Sequence, residues 1–162
     1  RVLFIIGSFT IGGIQTNFLK LFKELKKSRS ITVLLISNKK DSDMFSELMK
    51  HAEVIDFESI ARFKIGSSSA INHSVFLDEK KVLTRLSSAI STIHAVDSET
   101  LIVGEKISRI LNAKMTIGSY HPREFTWLTS GEWYFRKVQQ NILESLSANN
   151  VWFTLSTINT FI

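Results

Sequence analysis

The sequence predicts a doubly wound α/β domain, a mainly parallel sheet with helices on both faces. Two observations carry that prediction. Short runs such as 2–6 and 31–36 are apolar at almost every position, as strands covered on both faces must be. Between them lie longer segments whose apolar residues recur at helical spacing, the alternation that builds a parallel sheet.

Residues 2–6 form the first strand. From Ile14 the apolar positions Phe18, Leu21, Phe22 and Leu25 make an amphipathic stripe, with Lys20, Lys23, Lys26 and Lys27 on the other side. Strands follow at 31–36 and 53–57, separated by a short helix over 43–50 for which Asp41-Ser42-Asp43 supplies the N-cap. Residues 58–74 contain Gly66 and Ser67-Ser68-Ser69 and read as a loop. A long helix then carries Val75, Val82, Leu86, Ala89 and Ile90 on one side. The next unit is a strand at 92–96, a helix at 99–112 and a strand at 115–120. Pro122, the only proline, opens a further helix at its first position, where a missing N–H costs nothing. Residues 151–155 make a sixth strand, and the whole chain of 162 residues suits one domain.

Composition narrows the function. Apolar residues make up 44% and charged residues 22%, the balance of an ordinary globular chain. No apolar run approaches the roughly 20 residues that span a bilayer, and no signal-peptide pattern is present. Zero cysteines exclude disulfides, thiolate zinc sites and a cysteine nucleophile, and they fit the cytoplasm. The net charge of +5 favours anionic partners, with the inner face of the cell membrane as one place to meet them. The basic doublets Lys26-Lys27, Lys39-Lys40 and Lys80-Lys81 are scattered and no aromatic-plus-basic motif accompanies them, so no nucleic-acid partner is expected. Asp41-Ser42-Asp43 imitates a paired-carboxylate metal motif, but capping explains it and no His-x-x-x-His cluster joins it, so no metal is expected.

Ligands of such a sheet bind beyond the carboxyl ends of its strands. The first such segment is Gly7-Ser8-Phe9-Thr10-Ile11-Gly12-Gly13-Ile14-Gln15. It is not a P-loop, because Gly13-Ile14 stands where the Lys and the hydroxyl must be. It does not fit the dinucleotide fingerprint either: Phe9 replaces the second glycine, and the second strand ends without an acid. NADP stays open, since Lys39 and Lys40 can meet a 2′-phosphate. A tight βα turn with glycines for packing alone also stays open.

Strand, hydroxyl-bearing loop, Gly12-Gly13-Ile14-Gln15 and an amphipathic helix resemble the first βα unit of GT-B glycosyltransferases of the retaining, family-4-like group. The segment "TIHAVDSETLIVGEKISRILNAKMTIGSYHP" is similar to the part of that family where a strand with a central His leads through a helix to a strand ending in His. "VWFTLSTINTFI" resembles the last strand of the family's N-terminal lobe, where a Ser, here Ser156, starts a helix. The resemblance implies a Rossmann-like, acceptor-side lobe whose C-terminal, donor-binding partner lobe is missing. It further implies transfer from a nucleotide-sugar to a glycan or lipid-linked acceptor in bacterial surface-polysaccharide assembly. His121 would be catalytic, and Gly12, Gly13, Gln15, His94, Asp97 and Ser156 would meet substrate or phosphate. This lobe would hold no cofactor of its own, would sit in the cytoplasm with a peripheral membrane contact, and would be inactive alone. Glu124 and Glu132 have the spacing of the family's carboxylate pair but lie in the wrong lobe, and are read as coincidence. The place of His94 within a strand favours a satisfied core histidine over a ligand, while His51 and His73 read as surface residues. Trp127 and Trp133 suit core packing or a sugar face. The alternative to the whole assignment is a freestanding Rossmann-like nucleotide-binding or interaction module.

Overall fold

In a computed structural model describing residues 1–37, 40–62, 76–86, 89–96, 98–119 and 152–155, six strands form one sheet. They are β1 (Val2–Ile6), β2 (Ile31–Leu35), β3 (Glu53–Asp56), β4 (Thr92–Ala95), β5 (Lys114–Ser119) and β6 (Trp152–Leu155). Their order is β3-β2-β1-β4-β5-β6, and every pairing is parallel. Four described helices connect them: α1 (Gly13–Leu25), α2 (Ser42–Met49), α3 (Glu79–Leu86) and α4 (Ser98–Leu111).

Alternate residues of a strand point to opposite faces, and β1 divides accordingly. Phe4 and Ile6 pack with Phe18 and Phe22 of α1 and Leu48 of α2. Leu3 and Ile5 pack with Val82 and Leu86 of α3 and with Val103 and Ile107 of α4. Two separate cores, one on each face, make the sheet doubly wound. The chain therefore has the Rossmann-like α/β fold expected from its apolar strands. Within α4, Gly104 lies against the sheet: a Cβ there would meet Met115 Cε at 2.9 Å and Ala95 and Ile5 at 3.4 Å. The protein's own atoms therefore leave room there for no more than a small residue.

Strand order reverses between β1 and β4, since 1-2-3 runs one way and 4-5-6 the other. A crevice opens at such a switch point, beyond the carboxyl ends of the two central strands. In this chain it is bordered by the loop that leaves β1.

The elements depart from expectation in particular places. Of the helix expected from Val75 to Ile90, the described residues hold Glu79–Leu86. Arg62 N–H donates to Phe76 O and Asp78 N–H to Ile60 O, so the residues before α3 are held in a bridge with 60–62. Asp78 then accepts from Lys81 N at 3.1 Å, the bond of an N-cap, and fixes where the helix starts. At the other end Ala89 has φ of 60°, which no helix continues through. Residues 57–59 turn in a short 3-10 helix where a strand end and loop were expected. Leu21, assigned to the core stripe of α1, is 40% exposed, because Phe18 and Phe22 define the buried line. His51 is no surface residue. Its side chain is 8% exposed and its Nε2 lies 3.1 Å from Glu47 Oε1.

Candidate functional site

The loop after β1 does not turn straight into α1. It first runs beside the chain leaving β2, in continuation of the parallel ladder. Ile36 N–H donates to Ile6 O at 3.0 Å, Ser37 N–H to Gly7 O at 2.8 Å and Asp41 N–H to Phe9 O at 2.9 Å. Phe9 forms an isolated parallel bridge with Lys40. The Phe9 ring is fully buried among Phe4, Phe18 and Phe22. Burial of such a ring contributes about 2–3 kcal/mol, so the loop is nailed down at its middle. This explains the departure from the dinucleotide fingerprint: an anchor occupies the position where close backbone approach needs glycine. Beyond Phe9 the chain rises to the surface, and Ile11 is 77% exposed.

Gly12 is the N-cap of α1, in extended backbone. No side chain caps this helix, and its first turn holds no acidic residue. Thr16 donates to Gly12 O twice, through its N–H at 3.1 Å and its hydroxyl at 3.0 Å. Gln15 Nε2 donates to Ser8 O at 3.4 Å, which ties the helix start to the base of the loop. A Cβ on Gly13 would meet nothing within 4 Å, and one on Gly12 would meet only the flexible amide of Gln15. Neither glycine has a positive φ. Packing among the described residues therefore does not call for glycine at 12 or 13. What the two glycines provide is a bare helix start, with backbone N–H groups and the positive end of the dipole open to an anion.

The neighbouring junction is closed by its own side chains. Asp41 caps α2 by accepting from Met44 N at 3.1 Å, and Asp43 lies in the first turn. The Asp41-Ser42-Asp43 triplet is thus a helix start. Lys40, the residue left open for a 2′-phosphate, pairs with Asp56 Oδ1 at 2.6 Å and lies 4.5 Å from the Phe45 ring centre. Lys39 lies outside the described residues. Among the described residues no group of three His, Asp or Glu side chains is placed to hold a metal.

His94 is held inside the sheet. It pairs in register with Phe4 on one side and Thr116 on the other, three residues before the level of Gly7. Its Nδ1 lies 2.8 Å from Thr116 Oγ1, and that hydroxyl donates to Ile93 O at 3.3 Å. The Phe4 ring stands 5.2 Å away. Burial lowers the His94 pKa to about 4, so the imidazole is neutral at neutral pH. The fold does not bring it to the bare start of α1.

Asp97, His121 and Ser156 lie outside the described residues, as do Trp127, Trp133 and His73. The strands that precede the first three end at Ala95, Ser119 and Leu155. Because all six strands are parallel, those ends share the sheet edge at which the glycine loop begins. Two residues escaped the sequence reading. One is Phe9 as the loop anchor. The other is Thr100, which is fully buried and whose Oγ1 accepts from Val96 N at 3.0 Å, pinning the turn from β4 into α4. A hydroxyl two residues inside a helix start was the only available signal.

No family model matches the chain, and no curated protein matches it. Among solved structures the chain is similar to Anabaena Alr3699/HepE in complex with UDP and glucose, with a TM-score of 0.61 and 15% identity. That likeness covers 96% of this chain and 43% of HepE. The chain is also similar to the lipopolysaccharide outer core galactosyltransferase WaaB in its apo form, with a TM-score of 0.46 and 15% identity, over 100% of this chain and 48% of WaaB. The chain spans less than half the length of each of these two solved chains. At this identity the HepE likeness is one of fold, and it covers nearly the whole chain. The chain thus shares the Rossmann-like α/β fold of the part of HepE that it covers.

Proposed function

We propose that this chain is the acceptor-side, N-terminal lobe of a retaining, family-4-like glycosyltransferase. The complete enzyme moves a sugar from a nucleotide-sugar to a glycan or lipid-linked acceptor, in the assembly of bacterial surface polysaccharide on the cytoplasmic side of the membrane. One observation carries the reading: an uncapped helix start at the switch point of the sheet, whose two glycines no described packing requires. Phosphate or acceptor oxygen approaches there and accepts from the backbone N–H groups. HepE supports the same reading, being a protein of this fold crystallised with UDP and glucose. In this proposal Gln15 holds the loop, His121 stabilises the reacting centre, and Asp97 and Ser156 contribute from the same edge. His94 is assigned a positioning part, fixing β4 against β5 through Thr116. Contact with the membrane is proposed to be peripheral; the described residues contain no helix long and apolar enough to cross it.

The test uses the full-length protein with a panel of nucleotide-sugars, reading release of the nucleoside diphosphate. Gly13→Val fills space that no described atom occupies, so the melting temperature should hold while turnover falls about a hundredfold, the size of losing aligned backbone donors. His121→Ala should lower turnover by a similar factor of roughly a hundred with little change in stability. Unchanged turnover in Gly13→Val would remove the loop from the mechanism. Equal losses of turnover and stability in His121→Ala would make that residue structural. Reading the encoding gene beyond the codon for Ile162 checks the missing lobe: a second βα pattern with its own Glu-x₇-Glu is expected, and a stop codon there would exclude a donor lobe in the same chain.

A further inference from the structure

At the opposite end of the sheet from the glycine loop, a groove of about 590 Å³ opens where β1, β2 and β3 begin. It is lined by Arg1, Lys26, Arg29, Lys50, His51 and Glu53, among others. The strand β1 separates it from the loop by roughly 16 Å, five residues at about 3.3 Å each. Four cations on its wall face one carboxylate, and that carboxylate already pairs with Arg1.

Part of this charge has local work. Lys26 and Lys50 follow the last turns of α1 and α2, where cations offset the negative end of the helix dipole. Lys26 Nζ donates to Lys50 O at 3.3 Å, and Lys50 pairs with Glu47 at 2.6 Å. An ammonium has three donors, so those contacts leave capacity on both. Arg29 has no local work of this kind. It is exposed and forms no ion pair among the described residues. Beside it on the wall, the buried His51 Nδ1 has no hydrogen-bond partner among the described residues. Helix capping alone therefore does not explain why four cations from three separate segments converge on one concavity.

We propose that this groove binds a phosphate-bearing anion, at a site separate from the reaction cleft. Its volume lies in the range of small-molecule sites. The guanidinium fork of Arg29 beside the point charges of Lys26 and Lys50 is the combination that suits clustered phosphate oxygens. The phosphate arrives either on a soluble diphosphate or on a lipid headgroup, and two arms of one experiment separate these sources.

In the first arm the full-length protein is titrated calorimetrically with inorganic pyrophosphate at low salt. In the second it is sedimented with phosphatidylcholine vesicles, with and without phosphatidylglycerol. Binding in the first arm alone assigns a soluble ligand, and binding dependent on phosphatidylglycerol assigns a headgroup; either supports the site. Arg29→Glu should weaken the binding about tenfold, as loss of a charge-assisted hydrogen bond does, and added salt should weaken it further. Lys26→Glu should act in the same direction, and both side chains are exposed, so circular dichroism should show an intact fold. Gly13→Val removes any pyrophosphate bound at the start of α1 and should leave the Arg29-dependent part of the binding in place, which separates this site from the proposed reaction cleft. Absence of binding in both arms, binding indifferent to Arg29→Glu, or binding abolished by Gly13→Val would overturn the proposal.

Discussion

The helices α1 and α2 start at the same edge of the sheet, side by side, and are finished in opposite ways. At α2 the chain supplies its own anion: Asp41 caps Met44 N–H and Asp43 sits in the first turn. At α1 it supplies none, and Gly12 and Gly13 leave the start bare. The two junctions are stitched together by the Phe9–Lys40 bridge and the bond from Asp41 N–H to Phe9 O, so one scaffold holds both. The difference is chemical, one helix dipole answered from within and the other left for a ligand. With glycine at the N-cap the helix gives up only about 0.3 kcal/mol that an Asp cap would have contributed.

The largest effect sharpens the comparison by asking which glycines the fold itself needs. Gly104→Leu puts a side chain where Met115, Ala95 and Ile5 already stand, and should destabilise by about 3 kcal/mol in urea unfolding. Gly104→Ala should be nearly neutral, since Met115 Cε can move and alanine gains about 1 kcal/mol of helix propensity. If Gly13→Val cost as much stability as Gly104→Leu, the bare helix start would be a packing device after all.

The next effect separates a histidine of the scaffold from a histidine of the site. Burial depresses the His94 pKa to about 4, so below the unfolded value the unfolded chain binds a proton that the folded chain refuses. Stability attributable to His94 is complete above about pH 6.5 and is lost as pH falls from there toward 4, roughly 2 kcal/mol between pH 7 and pH 4.5. His94→Asn keeps a hydrogen-bonding partner for Thr116 and should flatten that part of the pH dependence. An unchanged slope would mean that carboxylates alone carry the acid sensitivity.

A smaller effect tests α2 directly. Asp41→Ala removes the bond to Met44 N and should cost about 1 kcal/mol, read as a lower midpoint in urea. Loss of several times that amount would mean that the stitch between the loops at Phe9 and Asp41 fails with the cap.

The comparison also marks where the sequence could be read and where it could not. The runs 2–6 and 31–36 declare buried parallel strands because they are apolar at almost every position, short, and rich in β-branched residues. The Gly12-Gly13 loop declares itself too, as glycine between a strand and a helix. Long-range pairing does not. The bridge of 60–62 with 76–78 shortened α3, and the bridge of Phe9 with Lys40 made an anchor of a residue that looked like a broken motif. His94 carried two readings because its neutral state comes from burial inside the sheet, and local sequence cannot place Phe4 and Thr116 beside it. The exposure of Leu21 was hidden for a related reason: helical spacing marks apolar positions, and only packing decides which of them the sheet covers.

The smallest stability change is the most discriminating, because it makes α1 resemble α2. Gly12→Asp places a carboxylate at the N-cap, in extended backbone that any residue can adopt, and the clash it creates is with the movable amide of Gln15. Capping and the dipole should together stabilise the protein by about 0.5 kcal/mol. The same carboxylate would occupy the backbone donors and repel an incoming phosphate, so turnover of the full-length enzyme should fall even as its melting temperature rises. Those opposite signs are what a ligand-receiving helix start requires. A junction that serves only to turn the chain would gain stability and lose nothing, and Gly12→Asp with full turnover would establish that simpler role.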